Sequence, residues 1–187
     1  STRLWTLFPY TTLFRSCFGL AASIADPQGY NAIFELKNRP HSKPLAILVE
    51  SFDWLASHTN LTSEQIHFLE HYPRPFSVLT ASDFLENFFA EQSWFDHQYY
   101  TQYSLRVAHT PEQYNLIQEV GPLFLTSANL SWQEEIYTQS ELNKTFAEAL
   151  DSGEVEKIWP FIDLSPTPPS EIFSFKGNTL EQVFLRS

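Results

Sequence analysis

The stretch DPQGYNAIFELKNRPHSKPLAILV, residues 26–49, indicates the fold class of this chain. Asp26 followed by Pro27 is typical of a helix start, and apolar residues at helical spacing continue to about Leu36. Prolines at positions 40 and 44 keep the next residues in a loop. The apolar run 44–49 then predicts a buried strand. Helix, loop and strand therefore follow one another directly.

The rest of the chain repeats this alternation. A capping box of Thr62 and Gln65 predicts a helix to about Tyr72, Thr110 predicts a helix that ends before Gly121, and a further helix is predicted over 140–150. Residues 82–100 favour no element. Such alternation is typical of an α/β fold in layers. Strands are predicted at 76–79, 104–107, 123–125 (running into Ser127), 172–175 and 182–185.

The loop after the first helix concentrates positive charge. Lys37, Arg39 and Lys43 lie within seven residues of a chain that has only 11 Lys and Arg and a net charge of −11. Three cations this close repel one another unless an anion offsets them, so the loop predicts an anionic ligand. The alternative is a solvated turn between a helix and a strand.

Composition excludes several classes of protein. The 187 residues suit one domain, and neither a membrane-spanning apolar run nor a signal peptide is visible. The single cysteine, Cys17, fits a reducing compartment. The acidic net charge argues against non-specific binding of nucleic acid, which depends on neutralising phosphates. We expect a soluble cytoplasmic protein with no membrane partner.

The first sixteen residues need separate treatment. Residues 7–16, LFPYTTLFRS, are the translation of CTC TTT CCC TAC ACG ACG CTC TTC CGA TCT, a common short-read sequencing adapter. We interpret 1–16 as adapter-derived and 17–187 as one domain truncated at its N-terminus; a genuine aromatic strand is the alternative. Without Arg3 and Arg15, nine basic residues face 22 acidic ones, which gives a net charge of −13.

One short motif resembles a metal-binding pattern, whereas the sequence contains no glycine-rich phosphate-binding loop. The segment HFLEH, residues 67–71, matches the H-x-x-E-H pattern and places both histidines on one helical face. No third ligand can be identified from the sequence, five-residue motifs recur by chance, and a solvated helix face is the alternative, so we expect no metal site. The five glycines are scattered and form no phosphate-binding loop.

Several motifs follow one another in the order of a known family. They are CFGL (17–20), KNRP (37–40) with KPL (43–45), YPRPFS (72–77), LRV (105–107), TSANLS (126–131), PS (169–170) and LR (185–186). In this order the chain resembles the YrdC-like threonylcarbamoyl-AMP synthase family. That resemblance implies a mixed twisted sheet with flanking helices, the YrdC-like fold.

The resemblance also implies a reaction. Such an enzyme uses ATP, threonine and bicarbonate, with Mg²⁺, to make threonylcarbamoyl-AMP and pyrophosphate. A separate transferase then modifies adenosine in tRNA, and direct binding of tRNA to this chain is expected to be weak. Lys37 and Arg39 are implied as catalytic residues. The implied substrate- and ATP-binding residues are Lys43, Arg106, Ser127, Asn129, Ser131, Ser170 and Arg186.

The chain departs from the family pattern at three positions and lacks one segment. Arg74 and Trp132 stand where the family has Gly, and Glu171 where it has Thr. The family's Pro-Thr-(Asp/Glu)-Thr should stand at 13–16, where the adapter translation lies, so we expect an incomplete pocket and impaired activity of this chain.

Two alternatives stay open. One is a carbamoyl-AMP-forming domain of the hydrogenase-maturation type, which shares these motifs but usually accompanies zinc-finger and acyl-phosphatase-like segments. The other is a catalytically silent RNA-binding module on the same fold, against which the acidic charge argues.

Overall fold

A computed structural model describes residues 6–12, 15–157, 163–166 and 169–186. The chain divides into two compact units, one of residues 1–45 and 123–168 and the other of residues 46–122 and 169–187. The strands are β1 Thr6–Thr12, β2 Arg15–Ser23, β3 Ala46–Val49, β4 Phe76–Thr80, β5 Tyr103–Val107, β6 Leu123–Ser127, β7 Glu156–Lys157, β8 Glu171–Phe175 and β9 Gln182–Arg186. The α-helices are α1 Pro27–Lys37, α2 Phe52–His58, α3 Ser63–Glu70, α4 Asp83–Phe89, α5 Pro111–Val120, α6 Gln139–Thr145 and α7 Ala147–Asp151, with a 3₁₀ turn at His97–Tyr99.

The first unit is built on a sheet with the strand order β7-β1-β2-β6. Strand β2 pairs antiparallel with both β1 and β6, and β1 pairs parallel with β7. Gly19 of β2 lies opposite Ser127 of β6. The centre of the unit is apolar, and Tyr30 of α1 packs against Phe124 of β6 with ring centroids 4.9 Å apart.

The second unit is built on a sheet with the strand order β3-β5-β4-β8-β9. Here β3–β5 and β4–β8 are parallel pairs, whereas β4–β5 and β8–β9 are antiparallel. Both units therefore combine mixed strand pairing with helices, and the predicted α/β class with a mixed sheet and flanking helices is confirmed.

Helix starts that the sequence predicted are present with their caps. The Asp26 carboxylate accepts hydrogen bonds from the backbone N–H groups of Gln28 and Gly29 at 3.0 and 3.1 Å. At the start of α3, the side chains of Thr62 and Gln65 each accept from the other's backbone N–H, which completes the capping box. These bonds satisfy donors that the first helical turn leaves unpaired.

Three predictions from local pattern were wrong or incomplete. The helix predicted over 140–150 is two helices, because buried Phe146 leaves helical geometry at φ −114° and ψ 27°. Helices α2 and α4 were not predicted, although the side chains of Ser51 and Ser82 cap them. Each has only seven residues, too few to show a clear apolar period.

The N-terminal segment forms strand β1, paired with β2 along its whole length. Strands pair through backbone groups that nearly every residue carries, so the pairing of β1 with β2 does not show whether residues 1–16 are encoded by the native gene or by an adapter. The adapter origin of residues 1–16 and the domain boundary at residue 17 therefore stay predictions. Leu13 and Phe14 lie outside the described residues.

No helix among the described residues is both long enough and apolar enough to cross a membrane.

Candidate substrate site

Lys37, the last residue of α1, lies inside the first unit with only 2% of its surface exposed. Its ammonium group donates to the backbone oxygen of Ser127, to the backbone oxygen of Asn129 at 2.5 Å and to Asn129 Oδ1 at 3.2 Å. Three oxygens match the three protons of an ammonium, which has no acceptor of its own. Lys37 therefore joins the end of α1 to the segment that follows β6.

Burial strongly affects the charge of this lysine. Loss of hydration, reinforced by the nearby Arg39 guanidinium, lowers the pKa of Lys37 from 10.5 to about 7, although Cys17 opposes the shift. No carboxylate among the described residues forms an ion pair with Lys37 or with Lys43. Within the described part of the chain, the charges of these two lysines are therefore not offset by a paired carboxylate.

A left-handed residue directs the chain from α1 into the cationic loop. Asn38 has φ 50° and ψ 45°, and the N–H groups of Asn38 and Arg39 return to the carbonyls of Glu35 and Phe34. Asparagine tolerates this conformation better than most residues. The helix end is thereby closed, and Lys37 is held at a defined position.

The Arg39 side chain stabilises the loop from within. Its Nε donates to the Lys43 carbonyl and its Nη2 to the Pro44 carbonyl, both at 2.8 Å. The Lys43 N–H in turn donates to the Pro40 carbonyl. The loop is therefore a preorganised turn, in which the Arg39 guanidinium is partly exposed.

The segment after β6 forms its own hydrogen-bond network. Ser127 Oγ donates to Asn129 Oδ1 at 2.6 Å, and Asn129 Nδ2 donates to the carbonyls of Leu130 and Gln133. The Ser131 N–H donates to the Lys37 carbonyl at 2.8 Å. In contrast, Ser131 Oγ is buried without a hydrogen-bond partner among the described residues. A buried hydroxyl without a hydrogen-bond partner can form a hydrogen bond with a polar atom of a ligand.

Trp132, one of the departures from the family pattern, contacts the cationic loop. Lys43 Nζ lies 3.1 Å from the centroid of the Trp132 ring, a cation–π contact. Trp132 is 80% exposed and has a φ of 72°, a backbone conformation that glycine adopts without strain. The first unit thus gathers six of the predicted residues: Lys37, Arg39, Lys43, Ser127, Asn129 and Ser131.

The remaining predicted residues belong to the second unit. Arg106 is buried on β5, and its Nε donates to the hydroxyl of buried Ser77 at 2.6 Å. Ser170 is fully buried directly before β8. Arg186 ends β9, and its side chain lies outside the described residues. The functions assigned to these three residues stay predictions.

The other two departures from the family pattern contact each other. Glu171 is only 5% exposed and accepts from Arg74 Nη1 at 2.5 Å and from the Tyr72 hydroxyl. Loss of hydration and the neighbouring carboxylate raise the pKa of Tyr72 to about 12. Glu171 is therefore satisfied by its own neighbours in the second unit.

Sequence reasoning missed this pairing and two further contacts. Arg74 and Glu171 were considered one at a time, although opposite charges at two departures from one pattern are a signal that they pair. Ser77 as the partner of Arg106 had no signal in the sequence, and neither had the contact of Trp132 with Lys43.

Comparison with known proteins places this arrangement in a family. A family model named Sua5/YciO/YrdC, with the description telomere recombination, matches residues 14–157. The chain belongs to the Sua5/YciO/YrdC family. Within it, a threonylcarbamoyl-AMP synthase of Vibrio campbellii (strain ATCC BAA-1116) is 27% identical over 139 residues, which cover 71% of each chain.

Solved structures of Sua5/YciO/YrdC proteins share the fold. Full-length HypF in its phosphate- and nucleotide-bound form matches 98% of this chain with a TM-score of 0.73 and 18% identity. P. abyssi Sua5 complexed with L-threonine matches 98% with a TM-score of 0.66 and 20% identity, and E. coli YciO matches 97% with 0.69 and 14%. This chain spans 27% of the HypF chain, 50% of the Sua5 chain and 82% of the YciO chain.

Proposed function

We propose that the intact gene product is an L-threonylcarbamoyl-AMP synthase that acts in tRNA threonylcarbamoyladenosine modification in the cytoplasm. The observation that carries this proposal is the first unit's positive site. There, Lys37 and Lys43 have no carboxylate partner among the described residues. Lys37 contacts the segment after β6, in which the buried Ser131 hydroxyl has no hydrogen-bond partner among the described residues. The synthase from Vibrio campbellii, at 27% identity, supports the same activity.

The proposed chemistry has two steps. The amine of threonine first condenses with bicarbonate, which forms a carbamate and releases water. A carbamate oxygen then attacks the α-phosphorus of ATP, and pyrophosphate leaves as the new P–O bond forms. Such a transfer depends on positioning and on stabilising negative charge more than on a covalent intermediate with the protein. Nucleotidyl transfer is therefore the reaction type we infer.

The residues of the loop suit that requirement. Lys37, Arg39 and Lys43 would offset the charge of the triphosphate and of the carbamate, most strongly in the transition state. Ser127, Asn129 and Ser131 offer hydroxyl and amide groups for hydrogen bonds to substrate. Mg²⁺ would enter as the Mg·ATP complex, because this loop offers cations and neutral oxygens rather than the carboxylates that anchor the ion.

The remaining proposed substrate residues belong to the second unit. Arg106 has the planar guanidinium that binds carboxylate or phosphate in a bidentate manner, and its bond to Ser77 orients that group. Ser170 and Arg186 are proposed as further ATP-binding residues. The downstream partner would be a transferase that moves the threonylcarbamoyl group to tRNA.

A pyrophosphate-release assay tests the proposal. It should be run on this chain and on a version in which the gene's own 5′ coding sequence, recovered by re-sequencing, replaces residues 1–16. We expect the restored protein to release pyrophosphate from Mg·ATP only when threonine and bicarbonate are both present, and this chain to be slower. Equal release without threonine would sink the synthase assignment.

A second candidate is a carbamoyl-AMP-forming domain, which the match to HypF favours with its TM-score of 0.73. In that reaction water would first cleave carbamoyl phosphate to carbamate and inorganic phosphate, and a carbamate oxygen would then attack the α-phosphorus of ATP and displace pyrophosphate. The same assay with carbamoyl phosphate as the added substrate therefore separates the two enzymes. A silent RNA-binding module would give no pyrophosphate with either substrate and would retain RNA in a filter-binding salt titration.

A further inference from the structure

A group of three potential metal ligands lies at the C-terminal end of α3 in the second unit. His67, Glu70 and His71 are all exposed, and one ligand atom from each lies within 4.8 Å of the other two. Their spacing explains this, because residues three and four positions apart share one face of a helix. From the sequence we expected no metal here, because we identified no third ligand beyond the two histidines. In the structure Glu70 of the same motif offers a third ligand atom beside them.

One histidine of the group is held by a hydrogen bond to the backbone. His71 Nδ1 lies 2.9 Å from the carbonyl oxygen of His67. A carbonyl only accepts, so the proton in this bond must reside on Nδ1, and the neutral ring then keeps its lone pair on Nε2. Metal-binding histidines commonly make this type of bond with the nitrogen that does not bind the metal.

The other two ligands are close to binding geometry. His67 Nδ1 lies 3.6 Å from Glu70 Oε2, and the two histidine rings have centroids 4.4 Å apart. A tetrahedral ion with bonds of about 2.0–2.1 Å holds its ligand atoms roughly 3.4 Å apart. All three residues are exposed, so small rotations of their side chains can close the remaining distance.

The donor set selects the class of metal. Two imidazoles and one carboxylate are typical of zinc sites that keep an open coordination position, whereas Mg²⁺ and Ca²⁺ prefer oxygen ligands. His67 and His71 also line a cavity of about 780 Å³ that includes Phe68, Tyr72 and Leu180. An open coordination position would be accessible to water or to a molecule in that cavity.

From these contacts we propose that His67, Glu70 and His71 bind one zinc-type divalent transition-metal ion at the mouth of this cavity. The ion would also link two turns of the C-terminal end of α3, because His71 is the residue that follows the helix. This site is independent of the proposed synthase activity.

The test uses the full chain without an affinity tag, freed of metal with a chelator. Zn²⁺ is titrated by calorimetry, and Co²⁺ by its visible absorption, which reports coordination by nitrogen and oxygen ligands. We expect one equivalent to bind, reversibly on addition of chelator, and no binding of Mg²⁺. His67→Ala and His71→Ala should each weaken Zn²⁺ affinity by at least about 100-fold, and Glu70→Gln by about tenfold.

Two controls keep the outcome decisive. His97→Ala removes an exposed histidine outside the cluster and should leave affinity unchanged. His71→Asn removes the imidazole but retains a side-chain donor for the helix end, so its loss of affinity does not depend on a folding defect. Absence of Zn²⁺ binding, or binding that survives the His67→Ala/His71→Asn double substitution, would overturn the proposal.

Discussion

Lys37 in the first unit and Glu171 in the second are both buried, with exposures of 2% and 5%, but their surroundings differ. Glu171 accepts from the Arg74 guanidinium and from the Tyr72 hydroxyl, so its charge has a counter-charge of its own. Lys37 is surrounded by neutral oxygens of Ser127 and Asn129. Buried charge is costly unless it is compensated. The buried charge of Glu171 is therefore compensated by its neighbours, whereas buried Lys37 has no carboxylate partner among the described residues and a lowered pKa.

The largest expected effect is on activity in the first unit. In the form of the protein that is active in the pyrophosphate assay, Lys37→Ala or Arg39→Ala should lower the rate of threonine-dependent pyrophosphate release at least about tenfold, because charge stabilisation in the transition state is lost. Lys176→Ala, which removes an exposed lysine paired with Glu181, is the matched control and should retain the rate. Near-normal rates in both loop variants would show that the loop is only a turn.

The pH dependence of stability tests whether the buried lysine loses its proton. Its pKa is about 7 in the folded chain and near 10.5 when unfolded, so between these values the unfolded state binds more protons. The contribution of Lys37 to the free energy of unfolding therefore rises with pH between these two values. From pH 7 to 9.5 the free energy of unfolding should rise relative to Lys37→Met by roughly 3 kcal/mol.

Urea denaturation of both proteins at the two pH values measures this difference. If the difference in free energy of unfolding between the protein and Lys37→Met does not change with pH, the three oxygens around Nζ keep the ammonium group protonated. Lys37 would then be a compensated buried charge, as Glu171 is.

The cluster around Glu171 should respond asymmetrically to loss of its partners. Among the described residues, Arg74→Ala leaves the buried Glu171 carboxylate with the Tyr72 hydroxyl as its side-chain partner, and should cost about 1–2 kcal/mol. The 70% exposure of Arg74 limits the loss. Glu171→Gln keeps an acceptor for Tyr72 and releases an exposed arginine to solvent, so it should cost less. Urea denaturation of both variants and of the double variant tests the order, and a larger loss in Glu171→Gln would contradict it.

The smallest effect is expected where Trp132 meets Lys43. Trp132→Gly loses a cation–π contact worth about 0.5–1 kcal/mol but relieves the strain of φ 72°, so stability should change little. Trp132→Ala loses the contact and keeps the strain, and should be less stable than Trp132→Gly by about 1 kcal/mol. Thermal unfolding compares the two, and equal stability would refute the strain argument.

Sequence reasoning succeeded where the interactions are local. The Asp26, Thr62 and Thr110 caps were predicted correctly, since each side chain binds a backbone N–H only two or three residues away. The order of motifs led to the correct family and fold. The short helices α2 and α4 were missed because seven residues show no clear period.

The candidate site could be predicted only in part. The sequence identified the cations of the loop and the Ser-Ala-Asn segment as neighbours through a resemblance, with no account of how they contact each other. In the structure Lys37 donates to Ser127 across 90 positions of sequence, and Arg74 pairs with Glu171 across 97. Contacts between residues so far apart in sequence cannot be recognised from local sequence patterns.

By itself the sequence determined where helices α1, α3 and α5 begin, which segments alternate, and that positive charge is concentrated in one short loop. Tertiary structure alone decided that Lys37 is buried, that its partners are neutral oxygens, and that the two unusual residues Arg74 and Glu171 compensate each other. Capping and strand patterning depend on neighbours a few residues away. The protonation and burial of a charged side chain depend on the atoms around it, most of which come from distant parts of the chain.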